Sequence, residues 1–302
     1  MNQRTVGKPF LGRLSPELPS LLTVLEKLLY STSPSVYQVF NRARRRIRPL
    51  YESDRQKHLR ERQTADYLLL SLTNCGRTWL RIILGRALQL HYGLENVNLH
   101  DLFSFSEAVP TIPSIKPMHE KYGQFGNRYD QQKVILLVRD PRDAIVSRYH
   151  QHKAEIDHEL GCTTLDEYVR EGSELSNYIQ FYNDWQIHQA SAQAVLILRY
   201  EDMKVNTFKS VQKILDFLQL PIQPATLREA IDYASFKNMR KIEVEGSEQV
   251  RTSVMSSRNV DNPESFKVRK GVVGGYRSEL SAVSVAFADD LVNTQLNPTY
   301  GY

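Results

Sequence analysis

The stretch "LTNCGRTWLR", Leu72 to Arg81, follows a short apolar run and opens an amphipathic one. A buried strand that turns through a polar loop into a helix leaves backbone N–H groups unpaired at the positive end of the helix dipole, and such a junction favours an anion. Gly76 lets the backbone come close to a phosphate, Thr78 offers a hydroxyl and Arg77 supplies charge. A turn glycine followed by a core tryptophan at Trp79 would give the same letters, so the neighbouring segments decide between the two.

Those segments alternate. Residues 67–72, 133–138 and 195–200 are short apolar runs suited to buried parallel strands. Between and after them lie helical patterns over residues 78–91, 141–155, 165–171, 174–190 and 225–234. Asp140 before Pro141 is an N-cap followed by a first-turn proline, with Asp143 completing an acidic first turn, and Thr164 with Glu167 has capping-box spacing. Strands alternating with helices give an α/β fold, a central mainly parallel sheet flanked by helices, in which ligands bind beyond the carboxyl ends of the strands. The domain proper runs over residues 63–302, and residues 1–62 read as a basic helical extension.

Composition narrows the function class. The chain has 302 residues, 41 % apolar and 24 % charged, which suits a globular enzyme and is too polar for a membrane bundle. Two cysteines, Cys75 and Cys162, give no disulfide framework and point to a reducing, cytoplasmic setting. The apolar patch at residues 18–30 is interrupted by Glu26 and Lys27 and reads as neither signal peptide nor membrane span. Of the net charge of +5, residues 42–62 carry +6, nine basic residues from Arg42 to Arg62 against three acids, so the remainder sums to −1. A nucleic-acid binder is not indicated; the basic run is a solvated face, a peripheral contact with anionic lipid, or a contact with an acidic acceptor.

Two phosphate chemistries compete for the opening loop. An ATP-binding loop, G-x-x-x-x-G-K-[ST], needs glycine at position 71 and lysine at 77, where this chain has Ser71 and Arg77; Asp140 after "VILLVR" still leaves a kinase reading with a magnesium ligand open. Four further segments follow in order: "VILLVRDPRDAIVSRYHQHK" (133–152), "LRYEDM" (198–203), "ASFKNM" (234–239) and "RKGVVGGYRSEL" (269–280). With the opening stretch they resemble the sulfotransferases that use 3'-phosphoadenosine-5'-phosphosulfate, over roughly residues 66–280, and the resemblance implies a P-loop-like sulfotransferase fold.

The resemblance also implies roles. Cys75, Gly76, Arg77, Thr78 and Trp79 match the loop that holds the 5'-phosphate, with Trp79 stacking on adenine. Arg139 and Ser147 match the pair that grips the 3'-phosphate, and Arg269, Lys270 and Gly271 match a late loop closing over it. Tyr200, Ser235 and Phe236 match residues around the adenine. "IPSIKPMHEKYG" resembles the strand that ends before the acceptor, nominating His119 as general base, with Glu120 or His150 as substitutes. Each has a plainer alternative: a helix-capping or ion-pair role for Arg139, a backbone-bonded Ser147, a core Phe236, a solvated Arg269-Lys270 loop. No metal is required.

One departure stands out. Where the family usually carries a lysine against the leaving oxygen, two residues before the glycine, this chain has Asn74, which donates a hydrogen bond without full charge. Either Arg77 or another cation substitutes, or turnover is slow, or the chain binds the donor, or its product, without effective catalysis. The expected reaction is sulfuryl transfer to a hydroxyl, or an amine, of a small-molecule, lipid or saccharide acceptor, whose pocket is formed by residues 97–129 and 241–267.

Overall fold

A computed structural model describes residues 52–124, 129–155, 164–250 and 266–302. The chain divides between Gln63 and Thr64. Helix α1 (Asp54–Thr64) leads to that division, with Arg60 Nε donating to Glu52 Oε1 at 2.8 Å and Lys57 lying 3.7 Å from Glu61 one turn on. The earlier part of the basic run and the apolar patch at residues 18–30 lie outside the described residues.

The second unit begins with β1 (Tyr67–Leu70), whose four residues are all buried. Then come α2 (Arg77–Tyr92), α3 (Leu102–Ala108), β2 (Ile115–Met118), β3 (Lys133–Val138), α4 (Pro141–Glu155), α5 (Leu165–Glu171), α6 (Glu174–His188) and β4 (Ala194–Arg199). Six helices follow: α7 (Tyr200–Val205), α8 (Thr207–Phe217), α9 (Pro224–Tyr233), α10 (Phe236–Glu245), α11 (Tyr276–Glu279) and α12 (Ala282–Gln295). The strand order is β2-β1-β3-β4 and every pairing is parallel. Because helices cover both faces, β1 and β3 read as unbroken apolar runs in which Leu68, Leu69, Val134, Ile135 and Leu137 are fully buried.

The topology places the site. From β1 the chain moves outward to β2, then returns past β1 to β3, so the loops leaving β1 and β3 diverge from adjacent strand ends. Leu70 pairs with Leu136, which brings residues 71–76 beside Arg139 and Asp140 at the kind of switch point where α/β sheets bind ligands.

The helix starts follow local chemistry. Asp140 Oδ1 accepts the Arg142 N–H at 2.9 Å, capping α4 ahead of Pro141. Thr164 and Glu167 form both bonds of a capping box on α5. Two strands differ from the sequence expectation. β1 stops at Leu70, where Ser71 and Leu72 turn into the loop, and β4 runs one residue earlier because Tyr200 already opens α7. The helix expected over residues 174–190 ends at His188 and tightens into a 3-10 turn, Gln189–Ser191. Helices α3, α7, α8, α10, α11 and α12 lie outside the helical patterns read from the sequence, although Val211, Ile214 and Leu215 on α8 carry a legible helical period.

Helix α2 aims the opening turn, and its seating depends on Gly85. A Cβ there would stand 2.1 Å from the Leu99 carbonyl oxygen, a backbone atom that cannot swing away. Gly85→Ala is expected to lower stability by about 1–3 kcal/mol through overpacking, read as a reduced urea midpoint with unchanged slope.

Candidate functional site

Gly76 ends the loop at φ +89°, and its missing Cβ is occupied space, since one would meet Tyr200 Cδ2 at 2.6 Å. Asn74 also takes a left-handed conformation, at φ +59°, which asparagine tolerates better than most residues. The turn therefore folds back so that the Asn74 carbonyl accepts from Arg139 Nη1 at 2.9 Å, while the same nitrogen donates to Ser147 Oγ at 3.3 Å. The Arg139 guanidinium lies 4.6 Å above the Tyr200 ring, and Tyr200 meets Trp79 edge-on at 6.1 Å. Thus Tyr200 stands between the Gly76 turn and Arg139, packing on both.

Helix α6 fixes both loops from beneath. Tyr182 donates its hydroxyl hydrogen to the Arg139 carbonyl at 2.9 Å and accepts the Arg139 N–H at 3.0 Å. Four residues earlier, Tyr178 donates to the Thr73 carbonyl at 2.7 Å. Burial raises both phenol pKa values, so each hydroxyl keeps its hydrogen.

A cavity of about 620 Å³ opens above this platform. Gly76, Arg77, Thr78, Trp79, Arg139, Ser147, Tyr200, Phe236, Arg269, Lys270 and Gly271, eleven of the expected donor residues, line it together with the loop asparagine Asn74 and His119. Phe236 is 48 % exposed, which removes the core reading for that ring. The late loop is held by Glu279, whose carboxylate takes Arg269 in a two-pronged pair at 2.7 and 2.9 Å and Lys270 at 3.3 Å. Burial alone would raise the Glu279 pKa, but the Arg269 bonds and charge outweigh it and hold the carboxyl low. Asp143 anchors the next turn, accepting the Gly274 and Tyr276 N–H groups at 2.7 and 3.0 Å. That role was hidden in the sequence, where Asp143 reads as a first-turn acid.

Two expected residues belong elsewhere. The Cys75 side chain is turned into the core, its sulfur 3.5 Å from the Tyr182 hydroxyl, and burial pushes the thiol up to about 11. Only its backbone belongs to the loop. Ser235 is exposed at the start of α10 and does not line the cavity. The magnesium role weighed for Asp140 is corrected too, because its carboxylate is gripped by Arg142 Nε and Nη2 at 2.9 and 2.8 Å and lies off the cavity.

His119 follows β2 directly and reaches the opening loop. The Ser71 carbonyl can only accept, so Nδ1 carries the hydrogen toward it at 2.8 Å and the Nε2 lone pair faces Arg77 Nη2 at 2.5 Å. Burial, with the Arg77 charge, lowers the His119 pKa to about 3. Its two substitutes are placed differently: Glu120 accepts from the Tyr129 hydroxyl at 2.6 Å and His150 meets Glu279 at 3.0 Å, and neither lines the cavity. Arg81 and His100, which the sequence reading left aside, do line it.

Residues 64–299 match the family described as the sulfotransferase domain. Cytosolic sulfotransferase 13 of Arabidopsis thaliana is 27 % identical over 269 residues, which cover 80 % of this chain and 79 % of that protein. Sulfotransferase 2A1 of Rattus norvegicus is 31 % identical over 173 residues, 53 % of this chain and 55 % of that protein. Among solved structures, a mouse sulfotransferase complexed with PAP aligns with a TM-score of 0.56 at 21 % identity, covering 77 % of this chain and 84 % of the other. Retinol dehydratase in complex with androsterone and the inactive cofactor PAP aligns with a TM-score of 0.58 at 15 % identity, covering 77 % and 80 %. These two share the fold.

The neutral His119 has a measurable consequence. Its native pKa of about 3 lies below the ordinary 6.5, so between those values the unfolded chain binds a proton that the native one refuses. Stability is therefore complete above about pH 6.5 and falls as pH drops toward 3, by up to about 1.4 kcal/mol per pH unit for this group. Urea titrations from pH 7 to 4.5 should show a shallower decline in His119→Asn than in the wild type.

Proposed function

The chain belongs to the sulfotransferase-domain family, and from that premise we propose that it moves a sulfuryl group from 3'-phosphoadenosine-5'-phosphosulfate to a hydroxyl of an acceptor held beside His119. The observation that carries the reading is that the Gly76 turn and the Arg139, Ser147 and Arg269 side chains line one cavity together with the neutral His119 imidazole, which follows the outer strand.

The chain's residues divide the donor between them. Backbone N–H groups of the turn at Gly76 and the Thr78 hydroxyl meet the 5'-phosphate at the positive end of α2. Arg139, Ser147, Arg269 and Lys270 take the 3'-phosphate, and Trp79 and Phe236 flank the adenine. Their cations offset the several negative charges carried by the donor.

Arg77 explains how Asn74 is tolerated. Arg77 stands three residues beyond Asn74, with its guanidinium deep enough that burial lowers its pKa to about 10, still charged at neutral pH. Its Nη1 is buried without an acceptor. Arg77 therefore supplies the charge at the leaving oxygen that the family's lysine usually supplies. It also restrains the base: with no donor bound it occupies His119 Nε2. When the leaving group draws the guanidinium away and offsets its charge, the lone pair becomes available and more basic. His119 Nε2 then takes the acceptor's O–H proton as the acceptor oxygen bonds to sulfur, and the bond from sulfur to the bridging oxygen breaks with its electron pair left on the phosphate.

The acceptor is a small molecule, with lipid and saccharide alcohols within the same chemistry. The relatives' cytosolic names favour a cytoplasmic place of action. Residues 1–62 are proposed as a separate basic extension that contacts anionic membrane surfaces.

Removing Arg77 as Met should cut single-turnover transfer about 100- to 1,000-fold. PAP should still raise the melting temperature of that variant. Adding Asn74→Lys to it should recover much of the lost rate, by rapid-quench assay with labelled donor; no recovery would mean that charge at the leaving oxygen is not what Arg77 provides.

A further inference from the structure

The cavity is wider than the donor grips, and among the described residues its α2 wall carries two arginines that no acid meets in an ion pair. Arg81 lies one turn past Arg77 on α2, about 6 Å farther from the Gly76 turn along the helix axis. Its Nη2 donates to the His100 carbonyl, while its Nε is buried without an acceptor. Burial and the like charge of Arg77, opposed by Asp101, lower its pKa to about 9, so it too is charged at neutral pH. Among the described residues neither Arg77 nor Arg81 forms an ion pair.

The lining carboxylates are engaged elsewhere. Asp143 holds the Gly274 and Tyr276 amides, and Glu279 holds Arg269 and Lys270. Glu243, the acid at the Arg81 end, is taken up by the Lys267 and Val268 amides at 2.5 and 2.9 Å. The two lining imidazoles, His100 and His119, are both held neutral by burial and the arginine charges. Two half-buried guanidinium groups on successive turns of one helix face, with no acid in an ion pair with either among the described residues, are costly unless a ligand anion compensates. The donor's leaving phosphate answers Arg77. A group held at the Gly76 turn by Arg77 leaves Arg81, a full helical turn farther along the same wall, to a second anion.

Resting on the donor assignment above, we infer that the acceptor is itself an anion, a hydroxyl compound bearing a carboxylate, sulfate or phosphate that Arg81 binds while the hydroxyl meets His119. The aromatic ring of Phe266 and the Met239 side chain line the same end and suit an apolar body between the two polar groups. A fork-shaped guanidinium is matched to a planar or tetrahedral oxyanion.

The test uses the full chain saturated with PAP, titrated with benzoate and with its neutral isostere benzamide while the melting temperature is followed. Benzoate is expected to add about 3 °C at concentrations well above its dissociation constant, and benzamide little. Arg81→Met should abolish the benzoate increment while keeping the increment from PAP, and Arg81→Lys should retain part of both. Equal responses to benzoate and benzamide in the wild type, or a benzoate increment that survives Arg81→Met, would overturn the inference. Loss of the PAP increment in Arg81→Met would also overturn it, by assigning Arg81 to the donor. Absence of a PAP increment in the wild type would bring down the donor assignment first, and this inference with it.

Discussion

Two tyrosine hydroxyls four residues apart on α6 hold together the parts that the chemistry needs. Tyr178 bonds the loop after β1 at Thr73, and Tyr182 bonds both backbone groups of Arg139 at the end of β3. The loops come from strands that pair in register but then diverge, so nothing in the sheet itself fixes their separation beyond Leu70 and Val138. The phenols do. Removing the Tyr182 hydroxyl would leave a buried N–H and a buried carbonyl unpaired, a cost of about 1–3 kcal/mol for each group. Tyr300 extends the support by donating to the Tyr182 carbonyl at 2.6 Å.

On that platform the cavity is electrostatically graded. At the Arg139 corner every lining cation has a protein partner, an acid, a carbonyl or an aromatic face, and those partners can be exchanged for phosphate oxygens. At the α2 end, among the described residues, Arg77 and Arg81 meet an imidazole nitrogen and a carbonyl and no acid, and burial first, with their charge second, suppresses the basicity of His119 and His100. In the proposed mechanism an entering anion offsets only the arginine part of that suppression, while burial continues to hold the imidazole neutral. Under the proposed mechanism, a charge at position 77 in place of 74 would couple its two ends, because the Arg77 guanidinium that touches His119 would also face the leaving oxygen.

The sequence made the framework legible for definite reasons. β1 and β3 are buried on both faces, so their apolar runs were continuous, and Gly76 with Asp140-Pro141 marked where helices begin. The order of five short segments located the Arg139–Ser147 pair and the Arg269 loop. Side-chain direction was less visible. Cys75 and Ser235 sit in the right segments, yet Cys75 turns into the core against Tyr182, and Ser235, at the N-cap position of α10, is exposed with no side-chain capping bond. Arg81 and His100 lie 19 residues apart and gain meaning only when α2 folds against the chain before α3. The partners of Asp143 are 131 and 133 residues away, a separation that no local pattern encodes.

The central claim is that one nucleotide is clasped at both of its anionic ends. Isothermal titration of the wild-type chain with adenosine 3',5'-bisphosphate, adenosine 5'-monophosphate and adenosine 3'-monophosphate tests it without any turnover. With each phosphate in charge-assisted bonds of about 1.5–3 kcal/mol, the bisphosphate should bind at least about ten-fold more tightly than either monophosphate. Equal affinity for the bisphosphate and one monophosphate would show that only one grip is real, and would contradict the account.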